Sequence, residues 1–180
     1  LNRVYNVKVE VINSEAEYQS GTFTYKIVDI DAPDVPVANK TIQLNYKVMS
    51  GTITFQQHID AQTDENGVVV FNNSQIYVAY FNLLLGIGNN SVTIEGDGFN
   101  VTNSEQNVTI TQATIKITID KYSEYYGSEK KVAIHAVNAK TGDPMKYVTL
   151  HLYMPSSSQK NYYFQTNENG TSEISVTGLV

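Results

Sequence analysis

Cysteine and tryptophan are both missing from the 180 residues, proline occurs 4 times, and charged residues make up only 17%. Without cysteine there is no disulfide framework, no thiolate metal site and no thiol nucleophile. Lysine and arginine number 12 against 18 acidic residues, a net charge of −6, so there is no basic surface to hold nucleic acid phosphates. The most apolar stretch, residues 76–88, is interrupted by Asn82 and falls short of the roughly 20 residues that span a bilayer. Leu1 to Val11 alternates polar and apolar residues, which is not the basic-then-apolar order of a secretion signal. Starting without Met and stopping in mid-pattern at Thr177-Gly178-Leu179-Val180, the chain reads as a piece of something longer.

What the chain has in quantity is strand-forming residues. Val, Ile, Thr, Tyr and Phe make up 71 of the 180, whereas Ala and Leu together supply 17. That balance predicts an all-β protein, with length enough for one large or two small cores.

An internal repeat decides for two. Asp34-Val35-Pro36-Val37-Ala38-Asn39-Lys40-Thr41 parallels Gly142-Asp143-Pro144-Met145-Lys146-Tyr147-Val148-Thr149, and Thr63-Asp64-Glu65-Asn66-Gly67 parallels Thr166-Asn167-Glu168-Asn169-Gly170. In each copy an alternating run (Phe23 to Ile27, Val132 to Ala136) precedes a Pro turn and a strand. A further strand then ends at an Asn-Gly pair, which tolerates the positive φ of a tight turn. Each copy is expected to be a meander of short antiparallel strands closing into a sandwich. The expected domains are residues 1–111, complete, and 112–180, truncated. About four residues join Ile110 to Ile115 without Gly or Pro, which predicts a stiff, end-to-end connection. Copy two has ten residues after Gly170, so it should lack its last two strands and either borrow a strand at its open edge or leave that edge unpaired. In the region 74–88, Ile76, Val78 and Tyr80 alternate as in a strand, while Phe81, Leu84 and Leu85 would also fit a helical turn; a strand followed by a short turn is expected.

The Pro turn, the alternating Thr-led strand and the Thr-Asp-Glu-Asn-Gly and Thr-Asn-Glu-Asn-Gly turns, with Leu85-Gly86-Ile87-Gly88-Asn89-Asn90-Ser91-Val92-Thr93-Ile94, resemble the immunoglobulin-like repeats of large surface proteins. They look most like adhesin-like proteins of methanogenic archaea, with related motifs in invasin-type domains, collagen-adhesin B-type repeats and transthyretin-like modules. The resemblance implies two tandem Ig-like β-sandwiches in an extracellular, cell-surface stalk that adheres to other cells, surface glycans or proteins and abuts neighbouring repeats. It implies no enzyme, no nucleic acid and no membrane contact. The alternatives are a structural spacer without ligand and a non-catalytic appendage of a surface hydrolase.

Candidate sites are few. Asn39, Asn72, Asn89, Asn100, Asn107 and Asn169 head glycosylation sequons, which an Asn- and Thr-rich β surface also produces by chance. Tyr162 and Tyr163 belong to a tyrosine-rich second copy, with Tyr122, Tyr125 and Tyr126, and are candidate ligand contacts through ring stacking. The loop Asp29-Ile30-Asp31-Ala32-Pro33-Asp34 could collect oxygens for calcium but lacks the Gly and distal Glu of a hand-type loop; a solvated turn is the better reading, there as at Asp64 and Glu65. His58, His135 and His151 show no nearby paired carboxylate or nucleophile motif, so no catalytic or metal role is assigned. The first copy carries 5 basic and 12 acidic residues and the second 7 and 6.

The resemblance to collagen-adhesin repeats raises a Lys-to-Asn isopeptide bond, with Lys8 and Asn107 at the matching positions. Alternation argues against it, because Val7, Val9 and Val11 take the inward face and turn Lys8 outward. Lys116 is likewise out of phase with Ile115, Ile117 and Ile119. Intact-mass spectrometry should return the unmodified sequence mass near 20.0 kDa, without the loss of ammonia that the bond would cause.

Overall fold

The computed structural model describes residues 4–78, 83–120, 131–154 and 160–175. The chain divides into two compact units, Leu1–Gln112 and Ala113–Val180. Both are β-sandwich units, and the described helix is a single 3-10 turn at Asn73–Gln75.

The first unit contains β1 (Tyr5–Asn13), β2 (Glu15–Glu17), β3 (Thr22–Asp29), β4 (Thr41–Ser50), β5 (Ile53–Gln62), β6 (Val68–Asn72), β7 (Tyr77–Val78), β8 (Leu83–Leu84), β9 (Gly88–Glu95), β10 (Phe99–Val101) and β11 (Glu105–Thr111). One sheet has the order β10-β1-β3-β6 and the other β2-β11-β9-β4-β5, with β7 and β8 as a separate short ribbon. The N-terminal segment serves both sheets: β1 lies antiparallel to β3 and parallel to β10, and after Ser14 the chain crosses so that β2 runs parallel to β11.

Period-2 alternation forms these strands and aims them. On β4 the side chains of Ile42, Leu44, Tyr46 and Val48 are buried while Thr41, Lys47 and Met49 face out. Phe23, Tyr25 and Ile27 from β3, Val69 and Phe71 from β6, Val92 and Ile94 from β9, and Val108 and Ile110 from β11 complete one apolar cluster. Each such side chain contributes about 1.5–3 kcal/mol by leaving water. Tyr25 is the exception in kind, for its hydroxyl is buried in the cluster with no hydrogen-bond partner.

The meander expectation fails on connectivity. β3 and β4 lie in different sheets, and so do β5 and β6. An Asn-Gly turn supplies positive φ equally well to a hairpin and to a crossing between sheets, so turn chemistry alone does not say which. Val11 departs from the expected inward face and is 51% exposed. The β1 register shifts between Val11 and Asn13 as the strand leaves its sheet. In the region 74–88, Leu83–Leu84 pairs with Tyr77–Val78 as a ribbon, not as a helical turn, while Tyr80 and Phe81 lie outside the described residues.

The second unit contains β12 (Ile115–Ile119), β13 (Lys131–Asn138), β14 (Thr149–Met154), β15 (Lys160–Gln165) and β16 (Thr171–Ser175). β12, β13 and β16 form one sheet with β13 central, and β14 pairs with β15. Val132, Ile134, Ala136, Met145 and Leu150 are its buried apolar residues. Ile117 and Ile119, expected to face inward, are 51% and 52% exposed.

The repeat is reproduced in hydrogen bonds. Asp64 Oδ1 accepts from the Asn66 and Val68 amides at 2.8 and 2.9 Å, and Asn167 Oδ1 accepts from Asn169 and Thr171 at 2.9 and 3.0 Å. Thr63 Oγ1 accepts from the Lys40 amide at 3.0 Å, and Thr166 Oγ1 from that of Val148 at 2.9 Å. The Ile27 amide donates to the Gly67 carbonyl at 2.9 Å, as Ala136 does to Gly170 at 2.8 Å. Val28 bridges to Pro36, and Val137 to Pro144. Asp29 Oδ1 caps the Asp31 amide in one unit, and Asn138 Oδ1 caps that of Lys140 in the other.

Two predictions follow from these pairs of positions. Strand pairing makes Ile134 the counterpart of Tyr25, so the fold does not need the hydroxyl. Removing an unsatisfied buried group in Tyr25→Phe should raise stability at pH 7 by about 1 kcal/mol in urea unfolding. Burial pushes the Tyr25 phenol from 10.0 up to about 12. The unfolded chain therefore ionises first, and wild type should lose stability as pH rises from 10 to 12 by a component that Tyr25→Phe lacks. Asp64 behaves oppositely, because backbone amides hold its carboxyl below the ordinary 3.8. Its contribution is present above that value and lost as pH falls through the lowered one. Asp64→Asn, which copies Asn167, should keep the turn and show a smaller drop in melting temperature between pH 7 and pH 3 than wild type does.

Candidate binding surfaces

The alternation that buries one face of the five-stranded sheet exposes a continuous polar face on the other. Register places Asn45 of β4 opposite His58 of β5 and Thr93 of β9, and Thr93 opposite Glu105 of β11. Lys47 faces Gln56. Of these, Asn45, Lys47, Gln56, Thr93 and Glu105 line an open groove of about 690 Å³ on the outside of the first unit, with Asn89, Asn90 and Ser91 along it. Amides and hydroxyls dominate. Asn45 Nδ2 is buried in the sheet face without a partner. A buried donor left unsatisfied costs about 1–3 kcal/mol of stability. With Lys47 and Glu105 among its amides and hydroxyls, the groove presents hydrogen-bonding and charged groups together.

The equivalent face of the second unit has different chemistry. His151 stacks on Tyr163 with centroids 4.5 Å apart and planes at 7°, and its Nε2 lies 2.8 Å from Asn161 Oδ1. Tyr163 is 71% exposed and Tyr153, on the same face, 50%. This is a flat aromatic platform of the kind on which a sugar ring or an apolar side chain stacks. Tyr162 and Tyr163 are neighbours on one strand and take opposite faces: Tyr163 points out and Tyr162, opposite Leu152, turns to the half-buried side. His151, given no role from the sequence, and Tyr153 come together with Tyr163 only through the β14–β15 register. Tyr122, Tyr125 and Tyr126 lie outside the described residues.

Asn39, Asn72, Asn89, Asn100, Asn107 and Asn169 are all exposed. Several are engaged locally: Asn72 Oδ1 accepts from the amide and hydroxyl of Ser74, Asn89 Oδ1 from Thr109 Oγ1, and Asn100 Nδ2 donates to Asn6. Asn89 borders the groove, and Asn107 sits on the same sheet face opposite Ser91. Lys8 is half exposed and paired with Glu10 at 2.7 Å on the four-stranded sheet, whereas Asn107 faces out from the other sheet.

His135 does have a carboxylate beside it, contrary to the sequence reading. Its Nε2 lies 3.2 Å from Asp120 Oδ1 and its Nδ1 3.3 Å from Thr171 Oγ1. The order resembles a relay that activates a hydroxyl, yet the His135 and Asp120 side chains are 41% and 64% exposed. Solvent at that level removes the low-dielectric enclosure such chemistry uses. Strand register explains the cluster, since Thr171 is the cross-strand neighbour of His135. Among the described residues no group of three or more His, Asp or Glu gathers to hold a metal. Asp29 and Asp64 use Oδ1 to cap backbone amides, and Asn138 and Asn167 do the same in the second unit without a carboxylate.

No family model and no curated protein matches the chain. Among solved structures, it is similar to a tetra-tandem repeat in the extending region of a large adhesion protein, at 11% identity and a TM-score of 0.36 over 96% of the chain. It is similar also to the Yersinia pseudotuberculosis adhesin InvE, at 15% identity and a TM-score of 0.41 over 95% of the chain. The chain spans 41% and 50% of the lengths of those two structures.

Proposed function

We propose that this chain is a tandem-repeat portion of an extracellular surface protein, in which β-sandwich units form a fixed scaffold and their outer sheet faces make contact with glycans or proteins on another surface. One observation carries the reading. The two units share the Thr-Asx-Glu-Asn-Gly hydrogen-bond network, whereas their equivalent outer faces diverge, amide-rich around Asn45 in one and aromatic around Tyr163 in the other. A scaffold kept while its displayed surface varies is suited to recognition. Chemistry is not asked of any residue.

The test is a glycan array together with binding of the labelled 180-residue chain to whole cells. Tyr163→Ala should weaken binding about tenfold or more, as loss of an anchoring ring does at a contact centre, with the melting temperature unchanged. A wild-type chain that binds neither array nor cells would overturn the adhesive reading in favour of a spacer without ligand.

A further inference from the structure

We infer that the edge of β14 left unpaired among the described residues of the second unit is a docking site for a pair of antiparallel strands of the β9 and β11 kind, supplied by another polypeptide segment. The inference is independent of the adhesive reading above and rests on a comparison internal to the molecule.

In the first unit β4 is paired on both sides. β5 takes one edge, and β9 takes the other with the register Gln43 to Glu95, Leu44 to Ile94, Asn45 to Thr93 and Tyr46 to Val92. β11 then pairs with β9, after the connection between them has crossed to the other sheet as β10, and the two strands carry Val92, Ile94, Val108 and Ile110 into the core. The second unit repeats β4 and β5 as β14 and β15, from Thr149 opposite Gln165 to Met154 opposite Lys160. Among the described residues nothing pairs with the other edge of β14. The repeat places His151, Leu152, Tyr153 and Met154 where Gln43, Leu44, Asn45 and Tyr46 receive β9.

Burial marks the same vacancy from inside. Leu44 is fully buried, whereas its counterpart Leu152 is half buried. Strand pairing makes Ile115 and Ile117 the counterparts of Val7 and Val9. Val9 is 4% exposed and Ile117 51%; Val7 is buried and Ile115 half buried. Phe71 is buried and its counterpart Ile174 is half buried. Ile119 supplies the control, because its counterpart Val11 is as exposed as it is, so exposure there belongs to the fold and not to a missing partner. The deficit in Leu152, Ile115, Ile117 and Ile174 falls on counterparts of residues that share the core with β9 and β11, while Val137, half buried where Val28 is buried, shows a difference outside that set.

The occupant's chemistry follows. It carries two β-branched apolar residues at i and i+2, in the positions of Val92 and Ile94, on a strand antiparallel to β14. A second strand repeats the pattern, and polar residues on the outer side continue the platform of His151 and Tyr153.

A synthetic peptide of residues 88–111 is the probe, mixed with the full 180-residue chain. Binding is read by fluorescence anisotropy and by amide hydrogen exchange. The expected result is saturable binding with about tenfold or greater slowing of exchange in residues 151–154, and unchanged exchange in β4. A peptide with Val92→Lys and Ile94→Lys should not bind. Leu152→Lys in the chain should abolish binding, and Ile119→Lys, at the control position, should leave it intact. No protection of residues 151–154 by the peptide would overturn the proposal. So would a concentration-dependent dimer in sedimentation that protects the same residues, since a second copy would then own the edge.

Discussion

Gly67 and Gly170 sit where strands of two sheets and a proline segment converge, and the rest of each unit is arranged around that approach. Their φ values are +77° and +70°. A Cβ on Gly67 would lie 3.0 Å from the Ile27 carbonyl, and one on Gly170 would lie 2.6 Å from that of Ala136 and 3.1 Å from the Met145 nitrogen. Conformation and space thus both demand glycine. The turn that holds it is capped from within by an Asx oxygen, so its backbone amides need no help from solvent. Because Ile27 and Ala136 are buried core residues, the amide that each donates to its glycine ties the crossing turn to the apolar cluster it serves.

That tie explains why the two copies can differ so much elsewhere. An aromatic core position in one is aliphatic in the other, Tyr25 against Ile134, and a carboxylate cap becomes an amide, Asp64 against Asn167. Volume and pattern matter more to a sandwich core than residue identity. Backbone groups at a crossing between sheets have fewer solutions, since each must find a partner in a fixed place. The outer faces answer to no such requirement, and there the units part company.

Much of this was legible in the chain itself. The composition and the alternation of Ile42, Leu44, Tyr46 and Val48 announce strands, because a pleated backbone sends successive side chains to opposite faces. The offset between Pro36 and Pro144 announces two copies. The binding faces were less legible. Tyr163 was visible as an aromatic, but its partners His151 and Tyr153 come from a strand ten residues away, and Asn45 is one polar residue among many until β5 and β9 close around it.

The sequence by itself determined the class of structure, the repeat, and on strands such as β4 which side meets water, because these depend on local steric preference and on a period of two. Only the tertiary structure decided which sheet each strand joins, that Asp120 and Thr171 flank His135, and that Ile117 lies uncovered where Val9 does not. Those outcomes depend on pairing between segments far apart in the chain. Pairing of that kind is selected by the summed burial of a whole sandwich and leaves no signature in any short stretch of residues.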